Sequence, residues 1–156
     1  MDRVKVILIV MLIFLIAIQF VPFSSNQDNQ LKNTDITKIY PVPAKVQAIL
    51  KKSCYDCHSN YTQYPWYAKL QPVSGWMAGH ISNGKKELNF SEFGSYSKYK
   101  QQSKLKAIIN SIHDGTMPIA SYTFIHRKAK LAPAAQTLVI NWMGQMKDSL
   151  SLTNQQ

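Results

Sequence analysis

The sequence predicts an all-α fold, a helical domain behind an N-terminal transmembrane helix. Three observations predict it. An apolar run over residues 6–21 follows Asp2, Arg3 and Lys5 at the start of the chain. In three later segments apolar residues recur at three-to-four spacing, the signature of one buried helix face. The strict apolar–polar alternation of half-buried strands is absent.

The first run, VILIVMLIFLIAIQFV, is apolar apart from Gln19 and approaches the roughly 17–25 residues that a spanning helix needs. Lys5 can snorkel to the interface, and Phe20 and Phe23 extend the apolar surface. The basic residues precede the run, so the positive-inside rule puts the N-terminus in the cytoplasm and everything after residue 22 outside. A cleaved signal peptide is the competing reading, but AIQFVPFSSNQ offers no convincing A-x-A site. No cysteine follows the run to make a lipoprotein anchor. A buried core helix is disfavoured because the run is terminal and apolar on all sides. Residues 1–23 are therefore read as a membrane anchor or signal peptide, 24–38 as a polar tether, 39–150 as one domain and 151–156 as a disordered tail.

Within the domain, IYPVP is extended, because each proline disfavours helix in the residue before it. Pro43 suits a first helical turn. From there Val46, Ile49, Leu50, Ser53/Cys54 and Cys57 fall on one helix face, both cysteines included. Residues 60–90 are aromatic-rich and broken by Pro65, Pro72, Gly75, Gly79 and Gly84, which predicts short helices joined by turns. Residues 97–115 read as a strong helix with the stripe Leu105, Ile108, Ile109 and Ile112, stopped by Gly115. TMPIASYTFIHRKAK reads as a loop or irregular segment. Pro133 opens a last helix whose Ala135, Leu138, Val139, Trp142, Met143, Met146 and Leu150 line one side.

The chain has 156 residues and a formal charge of +10. That length supports a core without disulfide staples. The charge bears on partners and not on fold, leaving nucleic acid, anionic lipid and acidic proteins open; the outward topology argues against nucleic acid.

The only two cysteines lie in KKSCYDCHSN, three apart, with a histidine directly after the second. A redox dithiol needs the C-x-x-C at a helix N-terminus after a strand, and no βαβ pattern surrounds this one. A structural disulfide would close too short a loop to add much stability. Zinc wants four ligands, usually as two spaced pairs. Cys54, Cys57 and His58 supply three at most, and His80, His113 and His126 are scattered. Covalent attachment of one c-type haem uses all three residues in the given order. One helical turn between the thiols matches vinyl groups on adjacent edges of the macrocycle, and the imidazole that follows reaches the iron. Placement beyond a membrane helix favours this reading, because c-type maturation happens on that side.

For the sixth iron ligand the candidates are Met117, His80, His113 and His126. Met117 lies in DGTMP, after a helix. Gly115 permits close backbone approach and Pro118 stiffens the chain beside the sulfur. His80 is the nearest rival, among Trp66, Trp76 and Met77. His113 ends a helix, where a cation is expected anyway. His126, followed by Arg127 and Lys128, reads as solvated.

With CYDCH and GTMP in place, the sequence resembles class I cytochromes c, and more specifically the Bacteroidetes-type bacterial haem-binding domain family. The resemblance covers roughly residues 35–148. It rests on CYDCHSNYTQYPWYAKLQPVSGWMAGHISNGKKELNFSEF, on GTMPIASYTFIHRKAKL and on the terminal helix with Trp142. It implies a cytochrome c-like helical domain on a membrane-anchored periplasmic protein, attached to haem at Cys54 and Cys57, with His58 proximal and Met117 distal. The sequence departs from the family pattern in lacking a second tryptophan near Trp76. It also lacks a serine or threonine cap where Ala132 stands, which costs the last helix about 1 kcal/mol.

The expected function is electron transfer, since His/Met ligation saturates the iron and raises its potential. An enzyme is not the leading expectation. The alternatives are a haem enzyme or sensor with an open or exchangeable sixth position, and a haem-bearing module on a larger complex. Tyr55, Tyr61, Tyr64, Trp66, Tyr67 and Trp76 are candidates for haem-pocket packing. The expected partners are redox proteins, steered by Lys51, Lys52, Lys85 and Lys86 where their surfaces are acidic, and the membrane through the N-terminal helix.

Overall fold

Proline, glycine and short polar side chains mark where the helices begin and end. In the computed structural model, which describes residues 2–22, 25–28, 30 and 32–153, the described residues form helices and no strands. An isolated bridge pairs Gln27 with Tyr61.

Helix α1, Arg3–Ile18, has no buried residue. Its 16 residues span about 24 Å at the α-helical rise, against the roughly 30 Å of a bilayer's hydrocarbon core. Among the described residues no helix is long and apolar enough to cross a membrane, which corrects the expected transmembrane helix. The helix stops at Gln19, the one polar residue of the run. Its Nε2 donates to the carbonyls of Leu15 and Gln71, and its Oε1 accepts from the Gln71 N–H.

The segment expected as a tether docks on the domain where it is described. Asn26 donates to Ser59 O and Thr62 Oγ1, both at 2.9 Å. Asp35 caps helix α2, Ile36–Ile39, by accepting from Thr37 N, and Ile36 is fully buried in the core. Apolar Ile36, in a largely polar stretch, is what the tether reading overlooked.

Helix α3, Ala44–Ser53, places Val46, Leu50 and Ser53 inward as expected. It does not continue through the second cysteine. Cys54 leaves the helical region (φ −128°, ψ −39°), and a separate turn, α4, runs Tyr55–His58. Helix α5 is a correction too. It runs unbroken over Val73–Glu87, straight through Gly75, Gly79 and Gly84. Each interior glycine costs about 1 kcal/mol relative to alanine, which tertiary packing outweighs here. A short 3-10 turn, Trp66–Lys69, precedes it; another, Phe90–Ser95, follows.

Helix α6, Lys98–His113, is capped by Ser97 accepting from Lys100 N. Its far end closes on Gly115 at φ +68°. Gly115 N–H bonds to Ile112 O and Thr116 N–H to Ser111 O, the paired bonds of a Schellman cap. The region expected to be irregular contains a short helix α7, Ala120–Ile125, and a 3-10 turn, Arg127–Ala129. Helix α8, Pro133–Thr153, extends beyond the expected end; Leu138 lies exposed rather than on the buried stripe. Residues 154–156 lie outside the described residues.

The core sits where α6 and α8 pack together and α3 packs on α8, around Leu50, Phe90, Phe93, Leu105, Val139 and Met143. Extended Pro41 is tied to α8 by Trp142 Nε1 donating to its carbonyl at 3.2 Å.

Candidate haem site

The CYDCH turn is built outward from α3 and gripped from two sides. On one side, α5 approaches so closely that a Cβ at Gly84 would stand 2.6 Å from Cys57 O. No other residue permits that contact. On the other, Asp56 Oδ2 accepts from Tyr122 of α7 at 2.6 Å, and Asp56 Oδ1 accepts from Gln63 N. Behind it lies a buried polar cluster. Asn89 Nδ2 donates to Asn60 Oδ1 at 2.7 Å, and Asn60 N donates to Ser91 Oγ. These bonds fix the chain directly after His58.

His58 is half-buried, and its orientation is set by α5. Its Nδ1 lies 2.9 Å from Gly84 O and 3.1 Å from Leu88 O. Carbonyls only accept, so Nδ1 carries the proton and Nε2 the lone pair. Metal-binding histidines are prepared in this way, with the far nitrogen donating to a backbone carbonyl.

Two adjoining cavities of about 210 Å³ and 260 Å³ meet at this residue. Cys54, His58, Met117 and Pro118 line both; Cys57, His80 and Tyr122 line the first, and Phe90, Ile108 and Leu131 the second. Together they fall within the roughly 300–1,000 Å³ typical of ligand sites. The structure thus gathers all four residues that the sequence singled out. Met117 comes from the loop that the Schellman cap returns toward the site, its N–H bonded to Ser111 O, and the side chain is 41% exposed.

Both cysteines are free thiols. Burial pushes the Cys54 thiol up to about 12 and the Cys57 thiol up to about 11, from an ordinary value of 9.0. Thiols held protonated at neutral pH are the opposite of the low-pKa thiolates of redox dithiols. Among the described residues no three His, Cys, Asp or Glu side chains are grouped to hold a metal ion. Two thiols, an imidazole presenting Nε2 and a thioether around one apolar cavity fit a haem.

The remaining candidates separate. His80 lines the same cavity from α5, its ring edge-on to Trp76 at 4.4 Å. His113 is exposed and pairs with Asp114. His126 is not solvated as expected. Its Nε2 lies 3.0 Å from Tyr67 OH, its ring lies 4.4 Å from that of Tyr122, and its Nδ1 is buried without a partner. Of the six aromatic residues expected at the pocket none lines the two cavities. Tyr67 and Trp76 line a smaller neighbouring one, and Tyr55 stacks on Phe90 in the core. Gly84, Ile119 and Tyr122 were missed. Only the glycine left a signal, as a small residue among larger ones.

A family model described as a haem-binding domain matches residues 13–145. No curated protein and no solved structure matches the chain. With that match covering most of its length and a cavity suited to the cofactor, the chain belongs to the haem-binding domain family and is a haem-binding protein.

Proposed function

We propose that the chain is a monohaem electron carrier of the c type, with Cys54 and Cys57 as thioether attachment points, His58 proximal and Met117 distal. The observation that carries this reading is the His58 imidazole, held by Gly84 and Leu88 carbonyls in a cavity that also presents both thiols and the Met117 thioether. The haem, when bound, supplies one-electron chemistry. The chain's residues do the rest. Gly84 and Leu88 hold the proton on Nδ1 of His58, Tyr122 and Gln63 fix Asp56 between the cysteines, and Phe90, Ile108 and Leu131 exclude water.

The protein works at the periplasmic face of the inner membrane, attached through its N-terminal apolar segment, and exchanges electrons with proteins of acidic surface. The exposed apolar side chains all round α1 support the attachment. Lys51, Lys52 and Lys86 are exposed for docking, whereas Lys85 is half-buried and donates to Asn26 Oδ1. A second reading, a haem enzyme or sensor with an exchangeable sixth position, draws on the 41% exposure of Met117 and the presence of His80 in the same cavity.

Two measurements test the proposal. Haem should stay with the chain on a denaturing gel, and Cys54→Ala combined with Cys57→Ala should abolish that staining. Reduced protein should be low-spin and insensitive to carbon monoxide. Immediate carbon monoxide binding would transfer the reading to the enzyme or sensor, and staining that survives loss of both cysteines would remove covalent attachment altogether.

A further inference from the structure

Gln19 interrupts an otherwise apolar run, and the haem site makes no use of it. Its side chain forms a reciprocal pair of bonds with the Gln71 backbone. Nε2 donates to Gln71 O at 3.1 Å, and Oε1 accepts from Gln71 N at 3.1 Å. The end of α1 is thereby clasped to the turn that precedes α5. Around that turn large apolar side chains face solvent. Trp66 is 78% exposed, Leu70 48% and Trp76 49%. Ile125, 55% exposed, lines a small cavity together with Trp76. Just beyond α1, Phe20 and Val21 are exposed as well.

Scattered apolar residues on a surface need no explanation. Here two of the chain's three tryptophans lie exposed beside the point where an apolar helix leaves the domain. Tryptophan concentrates at membrane–water interfaces, where an apolar ring with one N–H donor is at home. Clasped residues cannot separate far, so wherever α1 ends in a bilayer, the turn at Gln71 is brought to the same depth.

We propose that the face formed by Trp66, Leu70 and Trp76, flanked by Ile125, is a bilayer-contacting face, seated in the interfacial layer by the Gln19–Gln71 clasp. The inference rests on the proposed membrane attachment and deepens it. Attachment through α1 alone would leave the domain free to tumble on its connection, whereas the clasp and the aromatic face fix which side of the haem domain turns to lipid. Lys51 and Lys52, exposed and not part of that face, remain available to partners.

The test uses full-length haem-loaded protein in vesicles of phosphatidylcholine and phosphatidylglycerol doped with a phospholipid bearing a diazirine in its headgroup. After illumination, adducts are mapped by mass spectrometry. The proposal expects adducts on the peptide spanning residues 65–77 as well as at α1. It also expects Gln71→Pro, which removes the N–H donated to Gln19, to reduce labelling at 65–77 several-fold while α1 stays labelled. Circular dichroism and an unchanged haem spectrum confirm that this variant is folded, and Gln19→Leu breaks the same clasp from the other side. Adducts confined to α1 overturn the lipid-facing surface while leaving membrane attachment standing. Labelling of 65–77 that survives in Gln19→Leu overturns the clasp. A chain that neither co-floats with vesicles nor acquires adducts overturns the attachment itself, and this inference with it.

Discussion

The Nδ1 of His58 lies 2.9 Å from the carbonyl oxygen of Gly84, and Gly84 is also the residue whose missing side chain lets α5 press against Cys57. One position thus orients the imidazole and sets the distance between the helix and the CYDCH turn. The two roles are inseparable, because the carbonyl reaches His58 only if the backbone comes that close.

Gly84→Ala should damage both. An added Cβ meets Cys57 O at 2.6 Å and Cys57 Cβ at 3.2 Å. Those atoms belong to the turn itself and have no flexible end to swing aside. Forcing the helix outward should cost about 1–3 kcal/mol, read as a lower midpoint in denaturant at unchanged slope. Haem occupancy should fall with it. Gly79→Ala is the control, since nothing lies within 4 Å of its Cβ position. There the helix should gain stability, by up to about 1 kcal/mol. Equal effects at the two positions would mean that the close approach at Gly84 is unimportant.

Tyr122→Phe removes the donor to Asp56 Oδ2 while keeping the ring beside His126. A hydrogen bond to a charged group is worth about 1.5–3 kcal/mol, and Gln63 N remains on the other oxygen. The loss should come at the low end of that range in thermal unfolding. The CYDCH turn should also become looser, visible as faster amide exchange at residues 56–58. If exchange there does not change, α7 does not hold the turn.

Much of this arrangement is legible in the sequence, for a physical reason. The CxxCH spacing confines Cys54, Cys57 and His58 to one short segment, and the apolar stripes recur over about two turns of α6 and about four of α8, so local pattern and tertiary burial agree. Gly115 reads as a stop because the cap needs φ above zero. What stays hidden depends on contacts distant in sequence. Gly75, Gly79 and Gly84 look like breaks, yet α5 runs through them because it packs on α4 and on the turn before it. Asn60 and Asn89 look like loop residues, and only the fold brings them to 2.7 Å. Six residues of α7 are too few for a periodicity to emerge. The apolar run at the N-terminus suggests a spanning length, but the helix ends where Gln19 finds Gln71.

The raised thiols predict a pH dependence that differs between haem-free and haem-loaded chains. Burial raises Cys54 to about 12 and Cys57 to about 11, and burial also raises Tyr122 and Tyr55. A group whose folded value exceeds its unfolded one contributes stability that is complete below the unfolded value and is lost as pH rises through the folded one. For the thiols that window runs from about 9 to about 12. The haem-free chain should therefore lose stability over that interval, and Cys54→Ala with Cys57→Ala should remove the lower part of the loss, leaving the tyrosines. A haem-loaded chain whose sulfurs are thioethers has no thiol to ionise and should resemble the double variant. Denaturant midpoints across the alkaline range would read this out, and identical curves for haem-free and haem-loaded protein would count against thioethers.

The sixth ligand can be decided by two single substitutions, because Met117 and His80 line one cavity from different elements. Met117 comes from the loop held by Ser111 O after α6, and His80 from α5 beside Trp76. Met117 is partly exposed, so in the haem-free chain Met117→Ala should change stability by no more than about 0.5 kcal/mol. Any large effect in the haem-loaded protein is then loss of a ligand and not loss of packing. Met117→Ala should turn the ferric protein high-spin, admit carbon monoxide to the reduced form within mixing time, and lower the midpoint potential, since a thioether ligand favours the reduced iron. His80→Ala should leave the spectrum and the potential where they were, because its ring is already engaged edge-on by Trp76 at 4.4 Å. The reverse pattern, an unaltered Met117→Ala and a high-spin His80→Ala, would assign the iron's far side to the imidazole and make the Met117 loop an exposed turn beside the cavity.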